Sequence, residues 1–242
     1  MSSAEFSRLA RSRGATIQRA PSRPTGFGDA RYFSGKVGLF LSTQFILIRH
    51  GETEWNRVEK FRGRADIPLN DKGLAQAQQI AARLAGEKIR AVYASPLQRT
   101  LQTAAPLAEV LNLRVKPHAN LLDVDYGTWE GLSPEEAQAK FPEEYLKWLT
   151  TPGRVKFPGG ESLRLVRVNI SNLLNELAEK HAGETVALVT HKIPCLVTMC
   201  YALGLTNDAI WKLRIDLAAI NRFERRDEKF IVTALNNTDH LT

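Results

Sequence analysis

Apolar residues occur along this chain in short continuous runs, each followed by a polar loop and an amphipathic segment. The runs at 45–48, 89–94 and 185–190 are rich in β-branched and aromatic side chains. Continuous runs of this length are typical of strands that are buried on both faces. The pattern therefore predicts a parallel sheet whose strands alternate with helices.

The first predicted helix begins after Asn70, a residue type that caps helices, and ends near Gly86. The residues expected on its buried face are Leu74, Ala77, Ile80, Ala81 and Leu84. A second helix is predicted over 97–111, with four residues facing inward: Leu101, Ala104, Ala105 and Ala108. Together with the strands that precede them, these helices give the βαβ rhythm of a parallel sheet.

The second half of the chain continues the same alternation. A long amphipathic helix is predicted over 161–181 and a shorter one over 194–203, while 113–116 is an edge-strand candidate. Near the end, 219–225 and 229–235 flank a polar tripeptide and predict an antiparallel hairpin. The fold class that follows is α/β: a three-layer α/β/α sandwich with a mostly parallel central sheet and catalytic residues at the carboxyl ends of strands.

An insertion at 131–160 interrupts the alternation. Ser133 opens it with a capping box that has Pro134 at the first helical position, and several proline and glycine residues follow. Its aromatic residues Tyr145 and Trp148 are expected to be exposed. Two interpretations stay open: a lid or specificity segment, and a surface excursion that does not contact the ligand.

The formal net charge of +7 is concentrated at one end of the chain. Residues 1–43 hold seven basic and two acidic residues, which accounts for five of these charges, and 44–242 holds the other two. The catalytic domain expected over 44–242 therefore has no general basic footprint, and we predict no nucleic-acid partner. Residues 1–43 fit either a flexible tail or leader, or an Arg-rich and Ser-rich organelle transit peptide.

Two cysteines and the hydropathy profile bear on the compartment. Cys195 and Cys200 are five residues apart in a predicted helix, which is too far for a disulfide bond and favours a reducing compartment. No run of 18 apolar residues occurs, so no transmembrane helix and no membrane partner are predicted. A cytoplasmic location is expected, with an organelle as the alternative if 1–43 is a transit peptide.

Each of the three best strands is followed by residues that chemistry can use. Arg49 and His50 end the first strand, Arg99 comes shortly after the second, and His191 follows the third. Because the carboxyl ends of parallel strands meet at one edge of a sheet, these four side chains are expected to converge. Two guanidinium groups and two imidazoles form a poor structural core but a good cradle for a phosphoryl group.

The sequence around His50 resembles the signature of the histidine phosphatase superfamily, which includes cofactor-dependent phosphoglycerate mutases and related phosphatases. The resemblance rests on Arg49-His50-Gly51-Glu52-Thr53, followed by Trp55-Asn56. Further matching pieces are Asp66-Ile67-Pro68-Leu69, Ser95-Pro96-Leu97 with Arg99, Tyr126-Gly127, Gly160-Glu161-Ser162 and Thr190-His191. Together these motifs are far more specific than the Arg-His-Gly triplet alone.

This resemblance implies a role for each motif residue. His50 is expected to be the nucleophile that becomes phosphorylated, with Arg49, Arg99 and His191 holding the transferring group. Asn56 is expected to contact a phosphate oxygen, and Thr53 is a weaker candidate for the same contact. No metal and no cofactor are expected, because the guanidinium groups supply the positive charge that phosphoryl transfer needs.

The chain departs from the family pattern at the residue that gives the leaving alcohol its proton. The family commonly has a glutamate four residues before the glycine of Tyr126-Gly127, where this chain has Asp123. We expect Asp123 to act as general acid and then as the base that activates water, with Asp125 and Glu130 as substitutes. The alternative is a loop carboxylate held in a salt bridge.

Two further cations occupy positions where the family often has other residues. Lys192 follows His191 directly, and Arg62 lies where a glutamine is common. Both are candidates for binding a second anionic group of the substrate. The competing interpretation for each is a solvated surface charge.

The predicted function is a phosphomonoesterase that hydrolyses a small phosphorylated metabolite through a phosphohistidine. The spacing of 68 positions from Asp123 to His191 leaves a shorter lid than mutases use to retain a bisphosphate, which favours water as the acceptor. The alternatives are a cofactor-dependent phosphoglycerate mutase and a catalytically impaired phospho-ligand binding protein. The expected partner is a small-molecule phosphate ester, and a homodimer stays open.

Overall fold

The computed structural model describes residues 42–242, so nearly all of the predicted tail at 1–43 lies outside the described residues. The folded part begins earlier than expected, because the first strand starts at Thr43. The Thr43 side chain is buried, and its hydroxyl donates to the carbonyl oxygens of Ala178 at 2.9 Å and His181 at 3.1 Å. These bonds make Thr43 part of the domain.

One sheet of six strands is present among the described residues, in the order β3-β2-β4-β1-β5-β6. The strands are β1 (Thr43–Arg49), β2 (Ile89–Ala94), β3 (Val115–Pro117), β4 (Thr185–Thr190), β5 (Ile220–Arg226) and β6 (Lys229–Asn237). β4 pairs in parallel with β1 on one side and with β2 on the other, and β5 runs antiparallel to β1. The three strands that carry the predicted site are therefore neighbours.

Helices cover both faces of this sheet. They are α1 (Glu54–Arg57), α2 (Asp71–Leu84), α3 (Gln98–Val110), α4 (Pro134–Lys140), α5 (Pro142–Thr150), α6 (Leu163–Lys180) and α7 (Lys192–Ala202). Alternate β1 residues belong to opposite cores: Ile46 and Ile48 pack with α2 and α3, while Phe45 and Leu47 pack with α6 and α7. This alternation follows from the period of two in a strand and confirms the predicted three-layer sandwich.

The predicted helix faces are correct except at their margins. Leu74 is 45% exposed and Ala105 is also exposed. The buried stripe of α2 passes through Gly73 and Ala77, so Leu74 lies about 100° away from it around the helix. In α3 the stripe passes through Ala104 and Ala108, and Ala105 is displaced by the same angle. Apolar character alone does not distinguish these neighbouring positions.

Other expectations are confirmed. The terminal hairpin is antiparallel, and Cys195 and Cys200 are both free and buried. Ser133 and Glu136 form the predicted capping box at the start of α4. No helix among residues 42–242 combines the length and apolar character that a membrane crossing requires.

Candidate active site

The four strand-end residues converge as the topology predicts. Arg49 is the last residue of β1 and His50 follows it, Arg99 lies in the first turn of α3, and His191 joins β4 to α7. All four side chains are buried, and the imidazole rings of His50 and His191 are 5.3 Å apart between centroids. We call Arg49, His50, Arg99 and His191 the buried cluster.

The turn after His50 requires glycine because two backbone segments meet there. A Cβ atom on Gly51 would lie 2.7 Å from the Gly73 carbonyl oxygen, and one on Gly73 would lie 2.1 Å from the Glu52 carbonyl oxygen. The Gly51 N–H also donates to the Thr103 hydroxyl at 3.1 Å. This close packing of α2 and α3 against the turn holds His50 in place.

The hydrogen bonding of His50 determines its tautomer. Its Nδ1 lies 2.6 Å from the carbonyl oxygen of Gly51, which can only accept, so Nδ1 carries the proton and Nε2 keeps a lone pair. Burial, reinforced by the charges of Arg99 and Arg49, places the pKa of His50 well below its ordinary value. His50 is therefore neutral near pH 7, as a nucleophile must be.

His191 has the opposite tautomer. Its Nδ1 accepts a hydrogen bond of 3.0 Å from Nε of Arg99, and an arginine nitrogen can only donate. A neutral His191 therefore carries its proton on Nε2, and burial followed by the Arg99 charge lowers its pKa well below the usual value. Arg99 is fixed in turn by the carbonyl oxygens of Ala65 at 2.7 Å and Gly63 at 2.8 Å.

Arg49 is anchored by a segment that joins the short 3-10 helix Asn207–Lys212 to β5. Its NH1 donates to the Ile215 carbonyl oxygen at 2.7 Å, and its backbone N–H donates to that of Ala219 at 3.2 Å. Burial, followed by repulsion from Arg62, lowers the pKa of Arg49 to about 10, so the guanidinium stays charged near pH 7. We call residues 215–219 the strap. Sequence reasoning missed it.

Asp123 lies next to the buried cluster. Its Oδ2 is 3.7 Å from NH2 of Arg99 and 3.9 Å from Nδ1 of His191, and its Oδ1 accepts from the Val124 N–H at 3.0 Å. Burial raises the pKa of this carboxyl, although Arg99 and Arg62 oppose the shift. The net shift of this pKa is upward, which is the direction that a proton donor needs.

The two substitutes for Asp123 have structural contacts instead. The Asp125 carboxylate accepts from the Gly127 N–H at 2.8 Å, and the Glu130 carboxylate accepts from the Arg64 N–H at 2.6 Å. Both carboxylates hold loops, and neither lines the cavity described next. Of the three candidates, only Asp123 is in position to meet a substrate.

A cavity of about 480 Å³ opens outward from Asp123. Its wall consists of Arg49, Asn56, Glu59, Lys60, Phe61, Arg62, Asp123, Tyr126, Pro134, Tyr145, Trp148, Lys192, Ile193, Trp211, Asp216 and Leu217. We call it the outer cavity. His50, Arg99 and His191 lie beyond this wall, and Arg49 is the member of the buried cluster that contributes to it.

Asn56 lines the outer cavity and Thr53 does not. The Asn56 Oδ1 accepts from the N–H and the hydroxyl of Thr53 at 3.0 and 2.8 Å, which leaves the Nδ2 donors for a ligand. Thr53 is fully buried, and its hydroxyl is used in this helix cap. The geometry thus gives Thr53 the task of positioning Asn56, and the expected phosphate contact has no support.

Arg62 and Lys192 both line the outer cavity, in contrast to the interpretation as solvated surface charges. Arg62 makes one hydrogen bond, from NH1 to the Trp55 carbonyl oxygen at 3.2 Å. Lys192 begins α7, and its Nζ lies 5.8 Å from the centroid of the Trp211 ring. Burial, followed by repulsion from Arg49, lowers the pKa of Lys192.

The insertion at 131–160 contributes to the cavity through Pro134, Tyr145 and Trp148. The expectation that Trp148 is exposed is wrong, since only 5% of it is accessible. It packs against Phe157 at 5.3 Å and Trp211 at 4.7 Å between ring centroids. These aromatic contacts bury the insertion against the domain. Its position on the cavity favours the lid or specificity interpretation.

Several buried polar atoms in and around the cluster have no hydrogen-bond partner in the described part of the chain. They are Nε of Arg49, Nε2 of His50, Nε of Arg62 and Nε2 of His191. Buried polar groups are almost always paired in native proteins, so a concentration of unpaired ones indicates a place for a ligand. Residues 42–242 contain no group of three or more His, Cys, Asp or Glu side chains suited to a metal ion.

Comparison with known proteins agrees with the family that the motifs around His50 predict. Residues 45–238 match the histidine phosphatase superfamily, branch 1. Phosphoserine phosphatase 1 of Hydrogenobacter thermophilus is 35% identical over 198 residues, which cover 82% of this chain and 94% of that protein. A metal-independent phosphoserine phosphatase of Arabidopsis thaliana is 32% identical, with coverage of 83% and 84%.

A solved structure supports the fold and the activity. The phosphoserine phosphatase mutant of Entamoeba histolytica in complex with phosphoserine superposes with a TM-score of 0.76 at 30% identity, covering 83% of this chain and all of that one. These relatives confirm the prediction of a phosphoric monoester hydrolase of the histidine phosphatase type. The chain belongs to the histidine phosphatase superfamily.

Proposed function

We propose that His50 carries the phosphoryl group between a small phosphomonoester and water, and that phosphoserine is a substrate. The unpaired atoms of the site are the main support. Three of them are N–H donors, on Arg49, Arg62 and His191, and the fourth is the lone pair of His50 Nε2. A nucleophile accompanied by donors is what transfer of an anionic phosphoryl group requires.

In the first step, Nε2 of His50 attacks phosphorus and the bond from phosphorus to the ester oxygen breaks. Asp123 gives its proton to that oxygen, so the leaving group departs as a neutral alcohol. Burial raises the pKa of Asp123 above its ordinary value, the direction that this role as proton donor needs. Arg49, Arg99 and His191 donate to the equatorial oxygens and offset the charge of the transition state.

In the second step, water attacks the phosphohistidine and the bond between phosphorus and Nε2 breaks. Asp123, now a carboxylate, accepts the proton of that water. His50 leaves as a neutral imidazole with its proton still on Nδ1, bonded to Gly51. Inorganic phosphate is released and both residues regain their starting protonation states.

Access to His50 requires a side chain of the inner wall to move. The Arg62 side chain makes one hydrogen bond of 3.2 Å, whereas Arg49 is also held through its backbone N–H and Asp123 is also close to Arg99 and His191. We assign Arg62 to this movement: it contacts the incoming phosphate and turns with it towards the cluster. Asn56 offers its Nδ2 donors to the same group.

The assignment of phosphoserine comes from the relatives named above, and the outer cavity supports it with charges of both signs. The test is release of inorganic phosphate from phosphoserine by the purified chain. We expect turnover without added metal or bisphosphate, and we expect it to be lost in His50→Ala. Phosphate binding without turnover between mildly acid and neutral pH would indicate a binding protein instead.

The mutase alternative is tested with 3-phosphoglycerate, in the presence and absence of 2,3-bisphosphoglycerate. We expect free phosphate to exceed 2-phosphoglycerate under both conditions, because the open cavity admits water to the phosphohistidine. Formation of 2-phosphoglycerate that depends on the bisphosphate, with little free phosphate, would make the chain a mutase.

Two properties of the chain stay predictions. Every residue that we assign to the site lies in 42–242, so removal of residues 1–41 is expected to leave catalysis intact and to remove any affinity for nucleic acid. An affinity for RNA or DNA that survives this deletion would contradict our interpretation of the charge. Size-exclusion chromatography with light scattering tests whether the chain is a homodimer.

A further inference from the structure

The outer cavity has fixed charges of both signs beyond the place where the phosphoryl group is transferred. Lys192 belongs to the start of α7, and Asp216 belongs to the strap. The transfer of a phosphoryl group does not use this pair of charges. It lies where the leaving group of the substrate must extend.

Lys192 is a cation without a carboxylate partner. Among residues 42–242, no Asp or Glu oxygen lies within 4.0 Å of its Nζ. Its Nζ lies 5.8 Å from the centroid of the Trp211 ring, and the nearby charges that act on it are Arg49 and Arg62, opposed by Asp216 and Glu59. An ammonium group in such a position gains most from an anion that a ligand brings.

Asp216 is held rigidly at the cavity wall. Both of its carboxylate oxygens accept from Nε of Arg214 at 2.9 Å, one also accepts from Nδ2 of Asn236 at 2.9 Å, and its N–H donates to Oδ1 of Asn236 at 2.6 Å. Burial raises its pKa, but the hydrogen bonds from Arg214 and Asn236 outweigh this and lower it, so the carboxylate is ionised near pH 7.

The strap is joined to the backbone of the nucleophile and has a strained backbone conformation. Ala218 is buried with φ of +59°, and its N–H donates to the His50 carbonyl oxygen at 3.2 Å. Asn236, which supports Asp216, also has a positive φ, of +52°. Left-handed backbone in residues other than glycine concentrates at functional sites, where the surrounding structure enforces it.

We propose that Lys192 and Asp216 together recognise the leaving group, Lys192 by binding a carboxylate and Asp216 by binding an ammonium group. The preferred substrate class is then the phosphomonoester of a small amino acid that carries both charges. This inference rests on the proposed function. A leaving group with a carboxylate alone would satisfy Lys192 but leave Asp216 and Glu59 as like charges in the same cavity.

The test uses the full chain and four phosphomonoesters that differ only in these two charges. Phosphoserine has both groups, and 3-phosphoglycerate replaces its ammonium with a hydroxyl. Phosphoethanolamine has only the ammonium, and ethylene glycol monophosphate has neither. The measured quantity is the ratio of kcat/KM between two substrates on one preparation, so any unfolded fraction of a variant cancels.

For Asp216→Asn, we expect the preference for phosphoserine over 3-phosphoglycerate to fall about tenfold, the usual effect of losing one charge-assisted hydrogen bond. For Lys192→Met, we expect the preference for 3-phosphoglycerate over ethylene glycol monophosphate to fall by a similar factor of about ten. Asp216→Asn should leave the preference for 3-phosphoglycerate over ethylene glycol monophosphate unchanged. Lys192→Met should leave the preference for phosphoserine over 3-phosphoglycerate unchanged.

Glu59→Gln is the matched control, because it removes a carboxylate from the same cavity wall without touching the strap. We expect both ratios to stay within about twofold of the wild type, because the exposed Glu59 carboxylate acts on the leaving group only as a charge screened by solvent. A fall of the ammonium ratio in Glu59→Gln equal to that in Asp216→Asn would overturn the assignment of Asp216 in favour of the overall charge of the cavity.

Failure of this inference is distinct from failure of the proposed function. If the wild type hydrolyses the four esters with similar kcat/KM, or if both ratios survive the two substitutions, the recognition pair is wrong and the phosphatase stands. If none of the four is hydrolysed by a correctly folded chain, both proposals are overturned.

Discussion

The buried cluster and the outer cavity lie side by side but are built in different ways. The cluster consists of four side chains at or just after the carboxyl ends of β1, β2 and β4, and each is held by hydrogen bonds to backbone or to another member. The cavity wall is collected from loops, the insertion, the start of α7 and the strap. The cluster is buried, whereas the cavity is open to solvent.

This difference separates chemistry from selection. Any phosphomonoester needs the nucleophile, the guanidinium groups and the proton donor, so a change in the cluster should affect all substrates alike. Apart from Arg49, Asn56, Arg62 and Asp123, the cavity wall is expected to contact only the leaving group, so changes in the rest of the wall should alter which ester is used. The variants below test this division, beginning with the largest expected effect.

Removal of the nucleophile should be the most damaging change. We expect His50→Ala to lower kcat by a factor on the order of 10⁴ or more for every phosphomonoester, as nucleophile deletions do. Steady-state phosphate release checks this. His118→Ala is the control, since that histidine lies outside the cluster and the cavity wall, and it should retain activity. If His50→Ala lost activity towards one ester but kept it towards another, the division between catalysis in the cluster and selection in the cavity would be wrong.

Removal of the proton donor should have a graded effect. We expect Asp123→Asn to lower kcat/KM for phosphoserine by about 10²–10⁴, the usual contribution of general acid catalysis. For p-nitrophenyl phosphate the loss should be much smaller, because nitrophenolate leaves without a proton. Asp125→Asn is the matched control. Equal losses for the two esters would show that Asp123 has another task.

Arg62 lies in the cavity wall, and its charge should affect the pH dependence of catalysis by the cluster. Arg62 lowers the pKa of both His50 and Asp123, so Arg62→Gln should raise both. Activity requires neutral His50 and protonated Asp123. The acid and alkaline limbs of kcat/KM should therefore both move to higher pH, with a loss of about tenfold at pH 7 from the lost phosphate contact.

Arg64→Gln provides the control for this profile. Arg64 is a neighbouring arginine that pairs with Glu161 and does not line the cavity, so both limbs should stay in place. Movement of only one limb in Arg62→Gln would show that this side chain affects His50 or Asp123 but not both.

The rim of the cavity should give the smallest effect. Trp211→Leu removes the ring beside Lys192, and we expect kcat/KM for phosphoserine to fall about two- to fivefold, in line with a cation–π contact of about 0.5–1 kcal/mol. Trp211→Phe keeps a ring and should recover most of the loss. Both variants lose the hydrogen bond from Trp211 Nε1 to the Trp148 carbonyl oxygen at 2.7 Å, so a difference in kcat/KM between them at equal thermal unfolding midpoints isolates the contact with Lys192.

The sequence predicted the cluster better than the cavity for a physical reason. Strand ends are visible as abrupt stops in apolar runs, and parallel pairing brings them together, so Arg49, His50 and His191 could be placed in advance. Asp216 and the strap carry no such signal. The left-handed conformation of Ala218 depends on contacts with His50 that form only in the fold.

Burial at the margins was hard to predict for a similar reason. Trp148 and Leu74 are both large and apolar, yet the first is buried and the second is half exposed. Trp148 is buried by Phe157, which lies in a later segment of the chain. Leu74 is exposed because its neighbour Gly73 is the residue that packs against the backbone of Glu52. Local periodicity does not contain that information.

Trapping the covalent intermediate tests the central claim most directly. The chain is mixed with phosphoserine carrying ³²P, quenched in alkali within one turnover, and digested for mass spectrometry; Asp123→Asn serves as a second sample in which hydrolysis of the intermediate is slowed. The account predicts one phosphoryl group, stable in alkali and labile in acid, on His50. A label on any other side chain, or turnover with no labelled protein in either sample, would contradict it.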